Sequence, residues 1–120
     1  KFIEAKNNNH SNVEVWGTGK ATREFLYVED TAQAILDVVE NYNKTGPLNL
    51  GCGKETSIKE LVETISKLVG YEGDIKWDTS KPDGQLRRFY DMSLFENALG
   101  YVPSTTLEDG LKKTIDWYTK

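Results

Sequence analysis

The sequence predicts an α/β fold in which short strands alternate with helices, or an α+β arrangement if the chain is considered alone. Two observations lead to this prediction. Apolar residues recur every three or four positions in several long stretches, which is typical of amphipathic helices. Between these stretches lie much shorter apolar or alternating runs, bounded by glycine, proline or capping residues, which is typical of short strands.

The first part of the chain contains a helix end and a strand. Residues 2–5 indicate the last turn of a helix, and residues 13–16 alternate and predict a strand. The two glycines of residues 17–19 predict a turn directly after it. Residues 25–28 are apolar and indicate a short extended or buried segment.

A longer helix is expected over 32–42, where apolar side chains recur at helical spacing. Asp30, followed three residues later by Gln33, predicts the N-cap of this helix. Gly46-Pro47 then breaks the chain, and residues 48–50 predict a very short strand.

Capping boxes predict where the remaining helices begin. At three places a Ser or Thr is followed three residues later by Glu: Ser57/Glu60, Ser93/Glu96 and Thr105/Glu108. The first box opens the clearest amphipathic stretch of the chain, which ends at Gly70. Residues 75–77 predict another short strand, and residues 81–84 a turn or loop.

These elements do not complete a core. A three-residue strand over 48–50 needs neighbouring strands on both sides, and the apolar face of the 32–42 helix needs a sheet to cover. Both observations indicate that part of the protein lies outside this sequence. The chain also begins at Lys1 without an initiator Met, so we expect it to be a fragment.

Composition excludes several classes of protein. The chain has 15 Lys and Arg against 19 Asp and Glu, a net charge of −4, which argues against general nucleic-acid binding. No apolar run is long enough to cross a membrane, so no membrane partner is expected. A single cysteine excludes an internal disulfide and a cysteine-based zinc site, and we expect a cytoplasmic protein without a metal.

Neither the single histidine nor the single cysteine predicts catalysis. His10 lies in a polar, asparagine-rich run and is expected to be solvated, without the buried partner that a general base needs. Cys52 lies between two glycines and is expected to pack beneath a tight loop, since no second histidine is available to activate it.

Three groups of residues merit attention as candidate sites. Trp16 precedes the 17–19 glycines; the residues alone favour a core or interface role, and the alternative is a stacking surface for a base or sugar ring. The loop 81–88 concentrates three cations and one carboxylate, which suits phosphate binding, although a solvated charged run is the simpler interpretation. Glu29 and Asp30 are adjacent carboxylates, for which the helix cap is the favoured explanation.

Taken together, these stretches resemble a known family. Residues 16–30 resemble the segment through which extended short-chain dehydrogenase/reductases, or NAD-dependent epimerase/dehydratases, enter their substrate domain. Residues 48–53 look like their N-x-G-x-G strand end, and residues 79–91 are similar to their nucleotide-sugar clamp. The resemblance extends from about residue 13 to residue 118. It is greatest to the NADP-dependent members that epimerise and reduce a GDP-4-keto-6-deoxy sugar.

The resemblance implies a set of substrate-binding residues: Trp16, Arg23, Lys81, Asp83, Arg87 and Arg88. Trp16 would stack near the guanine or line its pocket, and Arg23 would bind the diphosphate or the adjacent sugar. Lys81 and Asp83 would lie at the nucleotide end, where Asp83 accepts hydrogen bonds from the ribose or base. One of the two neighbouring arginines would reach the diphosphate.

The resemblance also implies what this chain lacks. The family's glycine-rich cofactor loop, its Tyr-x-x-x-Lys pair and its catalytic Ser are not in the sequence. We therefore expect residues 1–120 to be a C-terminal substrate-binding region, with residues 30–53 as the last helix and strand of the Rossmann domain. NADP would bind to the parent enzyme and not to this chain, which would not catalyse reduction alone.

Alternatives remain open at this point. The leading hypothesis for the parent is the GDP-sugar epimerase/reductase. The second is a UDP-hexose 4-epimerase or a dTDP-glucose dehydratase, and the third is a non-catalytic nucleotide-sugar-binding or interaction module. The expected partner is a nucleotide-sugar, with a GDP-sugar favoured. A homodimer or self-association is also expected, because the 32–42 helix face and the 48–50 strand lack a covering sheet.

Overall fold

The computed structural model describes all residues from 1 to 120 and contains five helices and four short strands. The helices are α1 (Phe2–Asn7), α2 (Val28–Asn41), α3 (Ile58–Val69), α4 (Ser93–Leu99) and α5 (Leu107–Tyr118). The strands are β1 (Asn12–Trp16), β2 (Thr22–Glu24), β3 (Glu55–Ser57) and β4 (Asp74–Asp78). No helix combines the length and the apolar character that a membrane crossing requires.

The strands form two separate pairs. β1 and β4 are parallel, with Asn12 opposite Asp74 and Trp16 opposite Asp78. β2 and β3 are antiparallel, with Arg23 opposite Thr56. The mixture of helices and short strands that the sequence predicts is therefore confirmed.

Two small apolar cores hold the elements together. The first lies between α1, the β1–β4 pair and α3, with Phe2 edge-on to Tyr71 at a centroid distance of 5.5 Å. The second lies between α2 and α4, where Phe95 contacts Ala34 and Met92 and lies edge-on to Tyr101. Much of α2 is left outside either core, because Ile35, Leu36 and Val39 remain exposed.

α3 follows its sequence signals closely. The Ser57 hydroxyl accepts a hydrogen bond from the Glu60 N–H at 3.1 Å, as the first capping box predicts. The helix ends at Gly70, whose φ of 66° lies in the left-handed region that glycine adopts without strain. The predicted strands over 13–16 and 75–77 are also present, within β1 and β4.

The predicted N-cap residues of α2 and α4 are wrong, although α4 spans the predicted residues up to Leu99. α2 begins at Val28 with Tyr27 at the N-cap, so Asp30 lies inside the first turn and caps nothing. α4 begins at Ser93 with Met92 at the N-cap, because the Asp91 carboxylate takes the Ser93 N–H at 2.9 Å. In both cases a tertiary or neighbouring contact outweighs the local capping pattern.

The third capping box is displaced by one residue. Thr106, not Thr105, is the N-cap of α5, and its hydroxyl accepts from the Asp109 N–H at 3.1 Å. The Thr105 hydroxyl instead donates to Asp30. A contact between residues far apart in sequence has therefore set the start of this helix.

The predicted strand over 48–50 does not form. Leu48 and Leu50 pack partly buried against the α2–α4 core, but no strand of the chain pairs with them. The physical reason is the one that the sequence indicated: three residues form a strand only where a neighbour offers hydrogen-bonding groups.

Candidate functional site

Two stretches of chain that are distant in sequence meet along one face of the molecule. We call residues 16–24 the Trp16 segment and residues 81–88 the Lys81 loop. The Thr22 N–H donates to the Leu86 carbonyl at 2.8 Å, and the Arg88 N–H donates to the Thr22 carbonyl at 3.3 Å. Thr22 and Arg87 form a parallel bridge. The fold thus brings together the two stretches that the sequence analysis singled out.

Trp16 lies at the end of β1 and is 64% exposed. Of the core or interface role that the residues alone favour, this exposure excludes the core position and leaves the interface untested. The Lys81 ammonium lies 5.4 Å from the centroid of the indole ring, at cation–π distance. An exposed indole with a cation over it presents both a planar apolar surface and a positive charge.

Asp83 joins the Lys81 loop to the turn after β1. Its carboxylate accepts from the Thr18 N–H at 2.6 Å and from the Thr18 hydroxyl at 2.5 Å. The hydroxyl hydrogen bond, followed by the backbone one, lowers the pKa of Asp83 below its usual value. Gly17 must be glycine here, because its φ is 86° and a Cβ atom would overlap the Asp83 carboxylate.

Arg87 is held by Glu55 on β3. Arg87 Nε donates to Glu55 Oε1 at 2.9 Å, and Nη2 donates to Oε2 at 2.7 Å, so that guanidinium and carboxylate pair in a fork. The Thr22 hydroxyl also donates to Glu55 Oε1 at 2.8 Å. These bonds, led by that of Arg87, lower the pKa of Glu55 to about 2. Glu55 in turn raises the pKa of Arg87.

Three of the predicted cations have no carboxylate partner. Arg23, half-buried in β2, uses Nη1 to donate to the Thr22 carbonyl at 2.6 Å. Arg88 is exposed and donates only to the Gln85 amide oxygen, at 3.3 Å from Nη2. Lys81 contacts the Trp16 ring. The three side chains therefore carry positive charge that no carboxylate of the chain pairs with, on the two stretches that meet here.

Sequence reasoning missed three polar residues that build this face: Thr18, Glu24 and Glu55. The Glu24 carboxylate accepts from the Cys52 N–H at 3.1 Å and from the Tyr90 N–H at 3.3 Å. No side chain larger than glycine fits at Gly51, where a Cβ atom would overlap Glu24. Thr18 and Glu24 lie within the 16–30 stretch, but the sequence assigned no role to any of the three, because their partners lie tens of residues away in the chain.

His10 and Cys52 behave as expected. His10 is exposed, and its carbonyl accepts from the Tyr71 hydroxyl at 2.9 Å. Cys52 is a free, half-buried thiol that donates to the Lys54 carbonyl at 3.4 Å. Neither residue lies beside a group that would activate it.

Comparison with known proteins identifies the family. Residues 1–51 match the model described as "NAD dependent epimerase/dehydratase family". Over all 120 residues the chain is 44% identical to GDP-L-fucose synthase 1 of Arabidopsis thaliana. The chain is therefore similar to the NAD dependent epimerase/dehydratase family. The resemblance inferred from the sequence is thereby confirmed.

Other epimerase/dehydratase relatives agree with this assignment. GDP-L-fucose synthase of Escherichia coli is 39% identical over 127 aligned residues, which include 98% of this chain and 39% of the relative. The Arabidopsis protein is covered over 37% of its length. The chain thus spans well under half the length of these relatives.

Solved structures confirm the fold of this chain. A GDP-L-fucose synthetase from Naegleria fowleri bound to NADP superposes with a TM-score of 0.92 at 30% identity, over 98% of this chain and 37% of that one. A UDP-glucose 4-epimerase from Thermotoga maritima, with UDP-glucose, superposes with a TM-score of 0.83 at 26% identity, over 98% of this chain and 38% of that one.

Proposed function

We propose that this chain is the nucleotide-sugar-binding part of an NADP-dependent GDP-4-keto-6-deoxymannose 3,5-epimerase/4-reductase. The observation that carries the proposal is the exposed Trp16 ring with Lys81 over it, on the two hydrogen-bonded stretches that also carry Arg23 and Arg88. An indole can stack on a base, and guanidinium groups form paired hydrogen bonds to phosphate oxygens. The identity to GDP-L-fucose synthases supports the choice of a GDP-sugar.

Each predicted site residue has a place in this proposal. The base lies against Trp16, and the diphosphate lies among Arg23, Lys81 and Arg88. Asp83 and Arg87 belong to the same face, although both already have partners within the chain. The chain contributes binding and orientation of the substrate, and the proton and hydride transfers belong to residues outside it.

The cofactor NADP has no cradle among these residues. A dinucleotide site needs a glycine-rich turn that opens a helix after a strand, so that the helix N-terminus meets the pyrophosphate. Here the 17–19 and 51–53 glycines both lead into strands, β2 and β3. We therefore propose that NADP binds to another part of a longer protein, to whose Rossmann domain residues 30–53 belong.

We further propose that this chain lies in the cytoplasm and that, on its own, it does not catalyse reduction of a keto sugar. The sequence contains no Tyr-x-x-x-Lys pair to protonate a keto oxygen, so the purified chain should not consume NADPH with a 4-keto nucleotide-sugar. The free thiol of Cys52 is compatible with a reducing compartment.

The test is a calorimetric titration of GDP-mannose and UDP-glucose into the wild-type chain and two tryptophan variants. Trp16→Ala should weaken GDP-mannose binding more than UDP-glucose binding, because the larger purine loses more stacking area. Trp117→Ala is the matched control, since Trp117 is 74% exposed on α5, away from the two stretches. Equal effects of both substitutions would contradict the proposal.

A second candidate function is that of a UDP-hexose 4-epimerase. The superposition with the Thermotoga maritima UDP-glucose 4-epimerase favours it. In that case the titration should show UDP-glucose bound at least as tightly as GDP-mannose. If the chain binds both GDP-mannose and UDP-glucose and is not made as part of a longer protein, it would instead be a non-catalytic binding module.

A further inference from the structure

We propose that Asp83 and Arg87 are positioning residues that fasten the Lys81 loop to the Trp16 segment, and that the ligand contacts Trp16, Arg23, Lys81 and Arg88. This inference rests on the proposed nucleotide-sugar function and deepens it. Each positioning residue forms one latch: Asp83 with Thr18 near the start of the loop, and Arg87 with Glu55 near its end.

The first latch uses both oxygens of Asp83. Oδ1 accepts the Thr18 N–H and Oδ2 accepts the Thr18 hydroxyl. Both oxygens are thus engaged by Thr18, and each keeps one lone pair that can accept a further hydrogen bond. Because Thr18 follows Gly17 directly after β1, this latch determines where the loop that carries Lys81 lies relative to Trp16.

The second latch engages one edge of the Arg87 guanidinium. Nε and Nη2 face Glu55, whose Oε1 also accepts the Thr22 hydroxyl. The backbone on either side of Arg87 bonds to Thr22, so side chain and main chain fasten the same point. Arg23 is the next residue along β2, and its position therefore depends on this latch.

Because both latches contain a carboxylate, the proposal can be tested by whether neutralising that carboxylate tightens or weakens the binding of a diphosphate. Asp83 and Glu55 place two carboxylates on a face proposed to bind an anion. By charge alone, neutralising either of them should tighten the binding of a diphosphate. If the carboxylates act as latches, neutralising them should weaken binding, because the cations lose their fixed arrangement.

The experiment measures the affinity of the chain for GDP and for inorganic pyrophosphate by calorimetry. Asp83→Asn, Glu55→Gln and Thr18→Val should each weaken binding of both probes by about tenfold, the effect of losing one charged hydrogen bond. Thr18→Ser keeps the hydroxyl and should restore wild-type affinity. Asp116→Asn removes an exposed carboxylate on α5 and is the charge control.

The two probes separate positioning from direct contact. If Asp83 touched the ribose, Asp83→Asn would weaken GDP binding and spare pyrophosphate, which would overturn the proposal. Tighter or unchanged binding of both probes in Asp83→Asn and Glu55→Gln would also overturn it. In the double variant Thr18→Val/Asp83→Asn the two losses should not add, because both remove one latch.

Amide hydrogen exchange distinguishes failure of the latches from failure of the proposed function. The Thr22 and Arg88 amides bond between the two stretches and need no ligand to report on them. Both should exchange faster in Asp83→Asn and Glu55→Gln than in Asp116→Asn. If the wild-type chain binds neither probe, the proposed function fails, and unchanged exchange in the latch variants would overturn the latches themselves.

Discussion

The Asp30 carboxylate accepts two hydrogen bonds from Thr105, one from its N–H at 3.0 Å and one from its hydroxyl at 2.7 Å. These residues are half-buried and lie far apart in the chain. Asp30 is in the first turn of α2, and Thr105 comes just before α5. The pair therefore fixes the start of one helix against the approach to another.

Removing this link should lower the free energy of unfolding. We expect Asp30→Ala to cost about 1–3 kcal/mol, because a partly buried N–H and a hydroxyl both lose a charged partner. Glu40→Ala, at an exposed position on the same helix, is the matched control and should change stability by at most about 0.5 kcal/mol. Urea unfolding of both variants measures the difference, and equal midpoints would contradict the prediction.

Two glycines with positive φ test the close packing of the Trp16 segment. Gly17→Ala should destabilise the chain by about 1–2 kcal/mol from the left-handed backbone, with a further loss from overlap with Asp83. Gly84→Ala, at a φ of 70° with no atom near its Cβ position, should show the backbone cost alone. Thermal unfolding compares the two variants, and Gly84→Ala should have the higher midpoint.

Tyr101 and Asp37 should titrate as a pair. The Tyr101 hydroxyl donates to Asp37 at 2.5 Å, which raises the pKa of Tyr101 to about 12 and lowers the pKa of Asp37. The raised pKa stabilises the fold below the unfolded tyrosine pKa of about 10, and this contribution disappears as the pH rises through 12. The lowered carboxyl pKa stabilises it above about pH 4, a contribution lost in acid.

An ultraviolet absorbance titration checks this prediction. Subtracting the curve of Tyr101→Phe from that of the wild-type chain isolates the Tyr101 transition. Asp37→Asn should move that transition down toward the ordinary tyrosine pKa, because the hydrogen bond to the Asp37 carboxylate is the largest cause of the raised pKa, ahead of burial and of the carboxylate's charge. A transition that stays in place would show that burial dominates instead.

Arg23 should carry a large share of nucleotide affinity. Arg23→Ala should weaken GDP-mannose binding by about ten- to a hundredfold, the equivalent of roughly 1.5–3 kcal/mol for one charged hydrogen bond. Lys44→Ala removes an exposed cation after α2 and should leave the affinity unchanged. Unchanged affinity in a folded Arg23→Ala would make the basic face a solvated surface.

The exposed face of α2 should drive self-association of the isolated chain. Ile35, Leu36 and Val39 are 52%, 58% and 77% exposed, and they present neighbouring apolar surface. Val39→Lys should reduce association in light scattering over a dilution series. Asn43→Lys adds the same charge beyond the helix and should not, and a wild-type monomer at every concentration would refute this prediction.

Local signals predicted the elements that depend on local physics. α3 forms as expected because its cap, its apolar stripe and its terminal glycine all lie within its own sequence. The cap at Asp30 and the strand over 48–50 were wrong because tertiary partners decide both. Asp30 has Thr105 as its partner, and residues 48–50 have no strand to pair with.

The sequence names candidate site residues but not their arrangement. In the structure Lys81 lies over the Trp16 ring, and the backbone of Thr22, next to Arg23, bonds to the Lys81 loop. The sequence did not show that Arg87 is already paired, because Glu55 lies 32 residues away and just outside the 48–53 motif. Which charged residues are free to bind a ligand and which only hold the chain together depends on such pairings. These pairings are seen only in the three-dimensional structure.

The parallel register of β1 and β4 has a kinetic consequence. Pairing Asn12 with Asp74 closes a loop that contains β2, α2, β3 and α3. The entropy lost in closing a loop grows only slowly with its length, whereas long-range pairing slows folding markedly. Residues 43–47 lie exposed within this loop and outside every helix and strand. An insertion there would lengthen the loop that must close during folding, but would change the free energy of unfolding little.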